Sequence, residues 1–464
     1  VETQSLALDT TLSLGVIFVP TFLMGMTTPM VLHMFRRSLA ELGASVGIYY
    51  GANIFGAAVG ALLTGFVLIE LFGLSGCGYI AAGLNLFVGL IFYLYGRRSA
   101  DFQDADVSRL AESPPRPDRT RAVLIAVTCI AFGFVTLSFE MILFRLYSHY
   151  LFPEATVFPM MLCAFLMAMG TAQVVGGRLV DLLSSRLAVF AQVVFLVAIV
   201  ATSAVMQVSE ETLIQLEVIP LHAFNLSPPF RPFVAICVGM IPVLFLSVFF
   251  PLTVKLATQR ADLTGDSIGL VLFWFTIGNL GGALVTPFVL LGMLGTVKAI
   301  YFSFAVAFLG IVLVSVLASG PRRTATWMQL GVVALVAVFG LSTIPSDYYY
   351  RFSTLGMLGL TDMDEHPEHV EETIHGVVSR TKQGDSSYYV TVNRDPTARV
   401  VTSMSTLRDR NFSDLRVVDP EFVPRDVLII GAGTMMFAYG LLQYPDVETV
   451  YVAEILPNLM EWHR

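Results

Sequence analysis

The sequence predicts a polytopic α-helical membrane protein followed by a truncated α/β, Rossmann-like domain with a small β-domain in front of it. Three observations carry that expectation. The chain has 464 residues, 55% hydrophobic and 13% charged, with a mean hydropathy of +0.74, whereas a soluble domain carries about a quarter charged residues. Ten apolar runs reach the roughly 18 residues that a bilayer crossing needs. The net charge of −8 belongs to the end of the chain: residues 346–464 hold 10 basic and 18 acidic residues, while residues 1–345 hold 17 of each. An acidic chain without a basic stripe also excludes nucleic acid as a partner.

The apolar runs fall near 11–34, 46–73, 77–96, 122–150, 155–183, 187–207, 231–257, 266–294, 297–319 and 325–345. They define a transmembrane bundle over 1–345: the second part of a first half-repeat at 1–98, a loop at 99–121, a second half-repeat at 122–319 and an extra helix at 325–345. Basic residues set the orientation. Alternate loops carry Arg36 and Arg37, six arginines from Arg97 to Arg121, Arg178 and Arg186, Lys255 and Arg260, and Arg322 and Arg323, which is 14 of the bundle's 17 basic residues. The other side keeps Arg145, Arg231 and Lys298 beside Glu210, Glu211 and Glu217. The basic side is expected to be cytoplasmic, so ten crossings start the chain outside and leave residues 346–464 outside too. Cys77, Cys129, Cys163 and Cys237 lie in apolar runs and read as small core residues, with neither a disulfide framework nor zinc spacing. The start at Val1 lacks the basic opening of a signal peptide, and the end at Arg464 follows closely on a strand signal, so both ends read as truncations.

A repeat at an offset of 222 residues matches Pro20 to Pro242, Pro29 to Pro251, Gly43 to Gly265, Gly47 to Gly269, Gly56 to Gly278, Gly60 to Gly282, Phe66 to Phe288 and Gly73 to Gly295 without a gap. The stretches Gly56 to Gly60 and Gly278 to Gly282 read as small-residue seams where helices approach closely. Parallel repeats of this kind build transporters from two similar halves, and counting back from the second half leaves the first short of about three helices. The run Phe18 to Pro29, the stretch Gly51 to Ala58 and the segment Ser138-Phe139-Glu140-Met141-Ile142-Leu143-Phe144-Arg145 resemble the membrane half of bacterial proteins that fuse a major-facilitator-like bundle to a spermidine-synthase-like domain. Gly177-Arg178-Leu179-Val180-Asp181 with Arg186 is similar to the cytoplasmic loop signature of major-facilitator transporters.

Ionisable residues inside apolar helices need a reason, because a charge at the bilayer centre is costly. Glu140 and Arg145, five apart, point about 140° away from each other around a helix. Two readings are open: a polar cluster lining a central cavity, or a structural ion pair with another helix or snorkelling to the interface. Glu70, His33 and Lys255 read as interfacial, and Asn53 and Asn85 as hydrogen-bonding links between helices.

Past Pro345 the pattern shortens. The linker and small β-domain span 346–425, with strands expected at Thr373 to Thr381, Ser387 to Asn393 and Arg399 to Met404. Asp364-Glu365-His366-Pro367-Glu368-His369 reads as a solvated acidic linker rather than a metal site, because the proline prevents a helical histidine pair. The Rossmann-like part starts at 426–464: the strand Asp426 to Ile430 runs into Gly431-Ala432-Gly433, and the strand Thr449 to Ala453 ends in Glu454, 23 residues after Gly431. Glycines let the backbone turn tightly beside a nucleotide at a helix N-terminus, and an acid about 20 residues on suits a ribose hydroxyl.

That stretch resembles the nucleotide-binding start of spermidine synthase, with Pro457 following the acid. The resemblance implies that Gly431, Gly433 and Glu454 bind decarboxylated S-adenosylmethionine or a related adenosyl ligand, with no metal. Thr434, Met435 and Met436 depart from the family's loop, which continues with aspartate and glycine. The implied function is a membrane-embedded aminopropyltransferase of polyamine biosynthesis. The alternative is a non-catalytic transporter-like or scaffold subunit whose tail is a docking module. Implied partners are the lipid bilayer, a polyamine and other membrane subunits; the implied location is the bacterial cytoplasmic membrane.

Overall fold

The computed structural model describes residues 41–98, 119–150, 157–207, 231–258, 264–318, 323–351, 367–373, 376–383, 387–392, 395–401, 425–430 and 446–453, with isolated positions within 12–27 and 438–442. The helices are α1 (Leu42–Leu63), α2 (Ile69–Arg98), α3 (Arg119–Tyr150), α4 (Val157–Leu182), α5 (Leu187–Met206), α6 (Arg231–Gly239), α7 (Ile241–Ser247), α8 (Phe249–Ala257), α9 (Thr264–Val285), α10 (Thr296–Ala318) and α11 (Arg323–Ser342). Among the described residues seven helical stretches are long and apolar enough to cross a membrane. The apolar run at 11–34 lies largely outside them.

The repeat survives in three dimensions at the same offset. Helix α1, Leu42–Leu63, and its π-helical continuation Thr64–Leu68 stand 222 residues before α9, Thr264–Val285, and its π-helical continuation Thr286–Leu290. Both copies then turn at a glycine with positive φ, Gly73 at 66° and Gly295 at 77°, a conformation that L-residues with a Cβ avoid. The glycine matters in the first copy because the helical stretch Leu42–Leu94 is 53 residues long, about 80 Å at 1.5 Å per residue. That is more than twice a bilayer core of about 30 Å, and the break at Gly73 divides it into two crossings.

The two copies meet different neighbours. A Cβ on Gly43 or Gly47 would overlap the carbonyl of Gly177 or Gln173 on α4, so α1 and α4 touch backbone to backbone. On α9 it is Gly278 and Gly282 that abut the carbonyls of Ile130 and Phe134 on α3. The expected seam at Gly278 to Gly282 is therefore a close approach, whereas Gly56 and Gly60 have open space where a Cβ would stand. Asn53 and Asn85 are exposed.

The run at 231–257 is not one helix but three short ones, α6 to α8, interrupted at Met240 and Val248. Pro242 sits in the first turn of α7, where its missing N–H leaves no bond unmade. Helix α11 is continuous and seats Gly340 against the Ile199 side chain of α5, while Gln207 at the end of α5 donates to the Thr343 carbonyl at 3.3 Å. Rings fill the centre: Phe132 stacks on Phe249 at 4.1 Å, and Phe304 takes Phe139 and Phe195 edge-on. Fully buried hydroxyls bond across helices, Thr286 to Ser138 at 2.8 Å and Ser138 to Ser303 at 2.7 Å.

In the tail, strands β1 (His369–Thr373), β2 (Gly376–Gln383), β3 (Ser387–Val392) and β4 (Asp395–Val401) form an antiparallel sheet in sequential order. The single strand expected at 373–381 is instead a hairpin, with Thr373 opposite Gly376 and Gly376 at φ 147°. Strand β4 begins at Asp395, inside the expected turn, because a register shift between Val390 and Val392 lets β3 pair on to that residue. Strands β5 (Asp426–Ile430) and β6 (Thr449–Ala453) have the expected bounds and pair in parallel, Asp426 opposite Thr449.

Candidate functional site

Ion pairs and hydrogen bonds mark two ends of the bundle and a cleft between them. At one end the Asp181 carboxylate, near the end of α4, accepts from the backbone N–H groups of Gly43 at 3.1 Å and Ala44 at 2.7 Å, and from Lys255 Nζ at 2.6 Å. Glu41 makes no side-chain cap for α1. A carboxylate brought by another helix therefore meets the unpaired amides and the positive end of the dipole. Arg121 at the start of α3 donates to the Leu256 carbonyl at 2.9 Å, so α1, α3, α4 and α8 are tied together at this end. Lys255, expected at the interface, is mostly buried at 14% exposure because Asp181 faces it.

At the other end the Arg145 guanidinium donates to the carbonyls of Thr373 and Gly376, the two closing residues of the β1–β2 hairpin, and lies 3.7 Å from Glu372. Glu372 in turn accepts from the backbone N–H of Thr296, at 2.8 Å, and from its hydroxyl. Thr296 opens α10, so this carboxylate also sits on a helix N-terminus. Tyr349 stands 2.9 Å from the Thr296 hydroxyl and packs edge-on against His149. Burial pushes the Tyr349 phenol well above its ordinary range, Glu372 adding to the shift. The phenol thus keeps its proton and donates it to Thr296, whose own hydrogen goes to Glu372.

Glu140 and Arg145 are therefore not brought together. Arg145 finds its acid on a strand of the tail, not on another helix. Glu140 is half-buried on α3 and makes no hydrogen bond or ion pair among the described residues. Gly431, Gly433 and Glu454 lie outside the described residues; the parallel pairing of β5 with β6 brackets them.

Between the two ends a cleft with about 380 Å³ of empty space opens where α1 and α4 face α3, α7, α8 and α9. Neither Glu140 nor Arg145 lines it. Its walls include Tyr50, Thr136, Gln173, Ser247, Phe250 and Asn279. Gln173 is fully buried, and its Nε2 donates to the Ser247 carbonyl at 3.0 Å, which leaves Gln173 Oε1 without a partner. Ser247 Oγ and Asn279 Oδ1 are likewise buried with no partner among the described residues. An unmet buried polar group costs about 1–3 kcal/mol, so three in one cleft mark a place built for a ligand or water. None of the three was singled out in the sequence. The signal was there, an amide in the middle of each of the apolar runs 155–183 and 266–294.

A bundle of apolar helices with an internal repeat and a polar cleft where the copies meet defines a helical membrane protein of transporter-like architecture. Residues 6–283 match the family model of the Major Facilitator Superfamily, and the chain belongs to that family. No curated protein and no solved structure matches it.

Proposed function

We propose that the chain is a membrane transporter that takes a small molecule through the cleft between α1, α4 and α3, α9, with its tail held on the bundle as a non-catalytic docking module. The observation that carries this is the convergence of Gln173 Oε1, Ser247 Oγ and Asn279 Oδ1 on one cleft. Family membership gives the architecture, and the cleft supplies the chemistry. In this reading the Asp181–Lys255 pair and its α1 cap form the closure at one end of the pathway. The test is an Asn279→Cys variant of the full chain, with the four native cysteines replaced, alkylated by a membrane-impermeant maleimide in right-side-out and inverted vesicles. A transporter reacts from both sides; reaction from one side alone refutes the proposal.

The membrane is proposed to be the bacterial cytoplasmic one. Arg119, Arg121, Arg178, Arg186 and Lys255 belong to the Asp181 end, and the sheet docks at the opposite end, on Arg145. By the positive-inside rule the tail then lies outside. A reporter fused after Arg464 should be active outside and silent inside.

The spermidine-synthase-like reading of the tail is a second proposal, supported by the parallel β5–β6 pair that a β-α-β unit requires. An adenosyl ligand, decarboxylated S-adenosylmethionine included, would be held by Gly431, Gly433 and Glu454. Calorimetric titration of the Glu454→Ala variant tests this, since affinity equal to that of the native chain would remove the site. An external tail weighs against synthesis, because the nucleotide is a cytoplasmic metabolite.

A further inference from the structure

The cleft carries a second statement, about the class of molecule that fits it; it rests on the transporter reading and sharpens it. The polar atoms in the cleft are mostly acceptors. Gln173 has committed its N–H to the Ser247 carbonyl, so the group left over is the carbonyl oxygen. The Thr136 and Thr276 hydroxyls donate to Phe132 and Leu272 of their own helices, at 2.9 and 2.8 Å, and present lone pairs to the space beyond. Asn279 Oδ1 is unmet as well. The complement of such a surface is a ligand that brings N–H or O–H groups.

Flat apolar surface lies beside these oxygens. Tyr50 stacks on Phe250 with ring centres 4.6 Å apart, and Phe275 stands edge-on to Phe250 at 5.2 Å. The rings come from α1, α8 and α9, so the aromatic wall joins both copies of the repeat. Such faces pair with planar ligands by offset or edge contact.

Charge narrows the class. No lining residue is an acid or a base apart from the phenol of Tyr50. An anion would face four unshared oxygens and no cation, and a cation would leave water for an apolar interior without a carboxylate to meet it. Glu140 does not line the cleft and cannot serve. We propose that the cleft selects an uncharged planar molecule with N–H or O–H groups at its edge, the chemical class of the aromatic amides.

Three probes of nearly equal shape separate the possibilities: benzamide, neutral with N–H donors; benzoate, an anion without them; and benzamidinium, a cation with them. Each is titrated against the full chain in lipid nanodiscs by equilibrium dialysis, with spermidine alongside. Benzamide should bind about tenfold or more tighter than the other three, since a site built for donors rejects analogues that leave its acceptors unmet. Asn279→Leu should weaken benzamide about tenfold, the equivalent of one hydrogen bond. Gln173→Glu, which places a carboxylate in the same shape, should turn the preference towards benzamidinium. Benzoate, benzamidinium or spermidine binding as tightly as benzamide overturns the proposal, and so does the absence of benzamide binding. A cleft alkylated from both sides of the membrane that prefers a charged probe removes the ligand class and leaves transport standing. One alkylated from a single side removes transport whatever benzamide does.

Discussion

Replacing Arg145 with methionine should release the sheet from the bundle. Arg145 is 7% exposed, and its guanidinium holds two hairpin carbonyls and the Glu372 carboxylate together. Hydrogen bonds to a charged group contribute about 1.5–3 kcal/mol each, and removing one member of a buried pair costs about 3–5 kcal/mol. Glu372 keeps both of its bonds to Thr296, which places the loss at the lower end, about 3–4 kcal/mol. At about 1.4 kcal/mol per tenfold, the undocked population rises about 10²- to 10³-fold. Val377 reads that population, because it is fully buried in the core that the hairpin shares with the helices. In a Val377→Cys background, the alkylation rate of the new thiol is followed by peptide mass, which separates it from Cys77, Cys129, Cys163 and Cys237. Adding Arg145→Met should speed the reaction by the factor above, and Glu140→Gln on the same helix should not. An unchanged rate with Arg145→Met would show that the sheet is held by something else.

Gly47→Val should lower the melting temperature of the purified protein by several degrees, since its Cβ would overlap the Gln173 carbonyl, whereas Gly269→Val, its repeat partner, meets open space and should be tolerated. Equal effects would deny that the two copies use different faces. Asp181→Ala leaves the Gly43 and Ala44 amides uncapped and removes the acid facing Lys255. It should destabilise by about 3–5 kcal/mol, and Asp181→Asn, which still caps, by less; chemical denaturation of the two variants checks the order. For Tyr349 the folded phenol titrates above its unfolded value. Its stabilising contribution is therefore complete below about pH 10 and lost as pH rises through the folded value. Phenolate absorbance of the native chain minus that of Tyr349→Phe should show no ionisation of this residue near pH 10.

The repeat was legible to the residue because its markers are conformational: a glycine at positive φ cannot be moved by one position without moving the turn, so Gly73 and Gly295 keep the register of everything before them. Strands β5 and β6 were legible because a continuous β-branched run ends abruptly at glycine and acid. The β1–β2 turn was not, since the sequence from Thr373 to Thr381 keeps strand composition straight through the hairpin. The partner of Arg145 was beyond reach for a different reason. Glu372 lies 227 residues away on a short strand of the tail, and helical spacing says nothing about contacts between separate layers. The cleft was half visible: the amides Gln173 and Asn279 stood out in apolar runs, but only packing shows which of their atoms are left unmet.

Helix α3 has a mechanical meaning beyond its bonds. Arg121, Thr136 and Arg145 stand along one unbroken helix, at the Asp181 end, in the cleft and under the sheet. Thr136 and Arg145 are nine residues apart, about 14 Å of stiff rod. A displacement of that rod at the cleft is carried undiminished to the hairpin bolted to its far end, so the tail works as the pointer of a gauge, registering outside the bundle a movement that occurs within it.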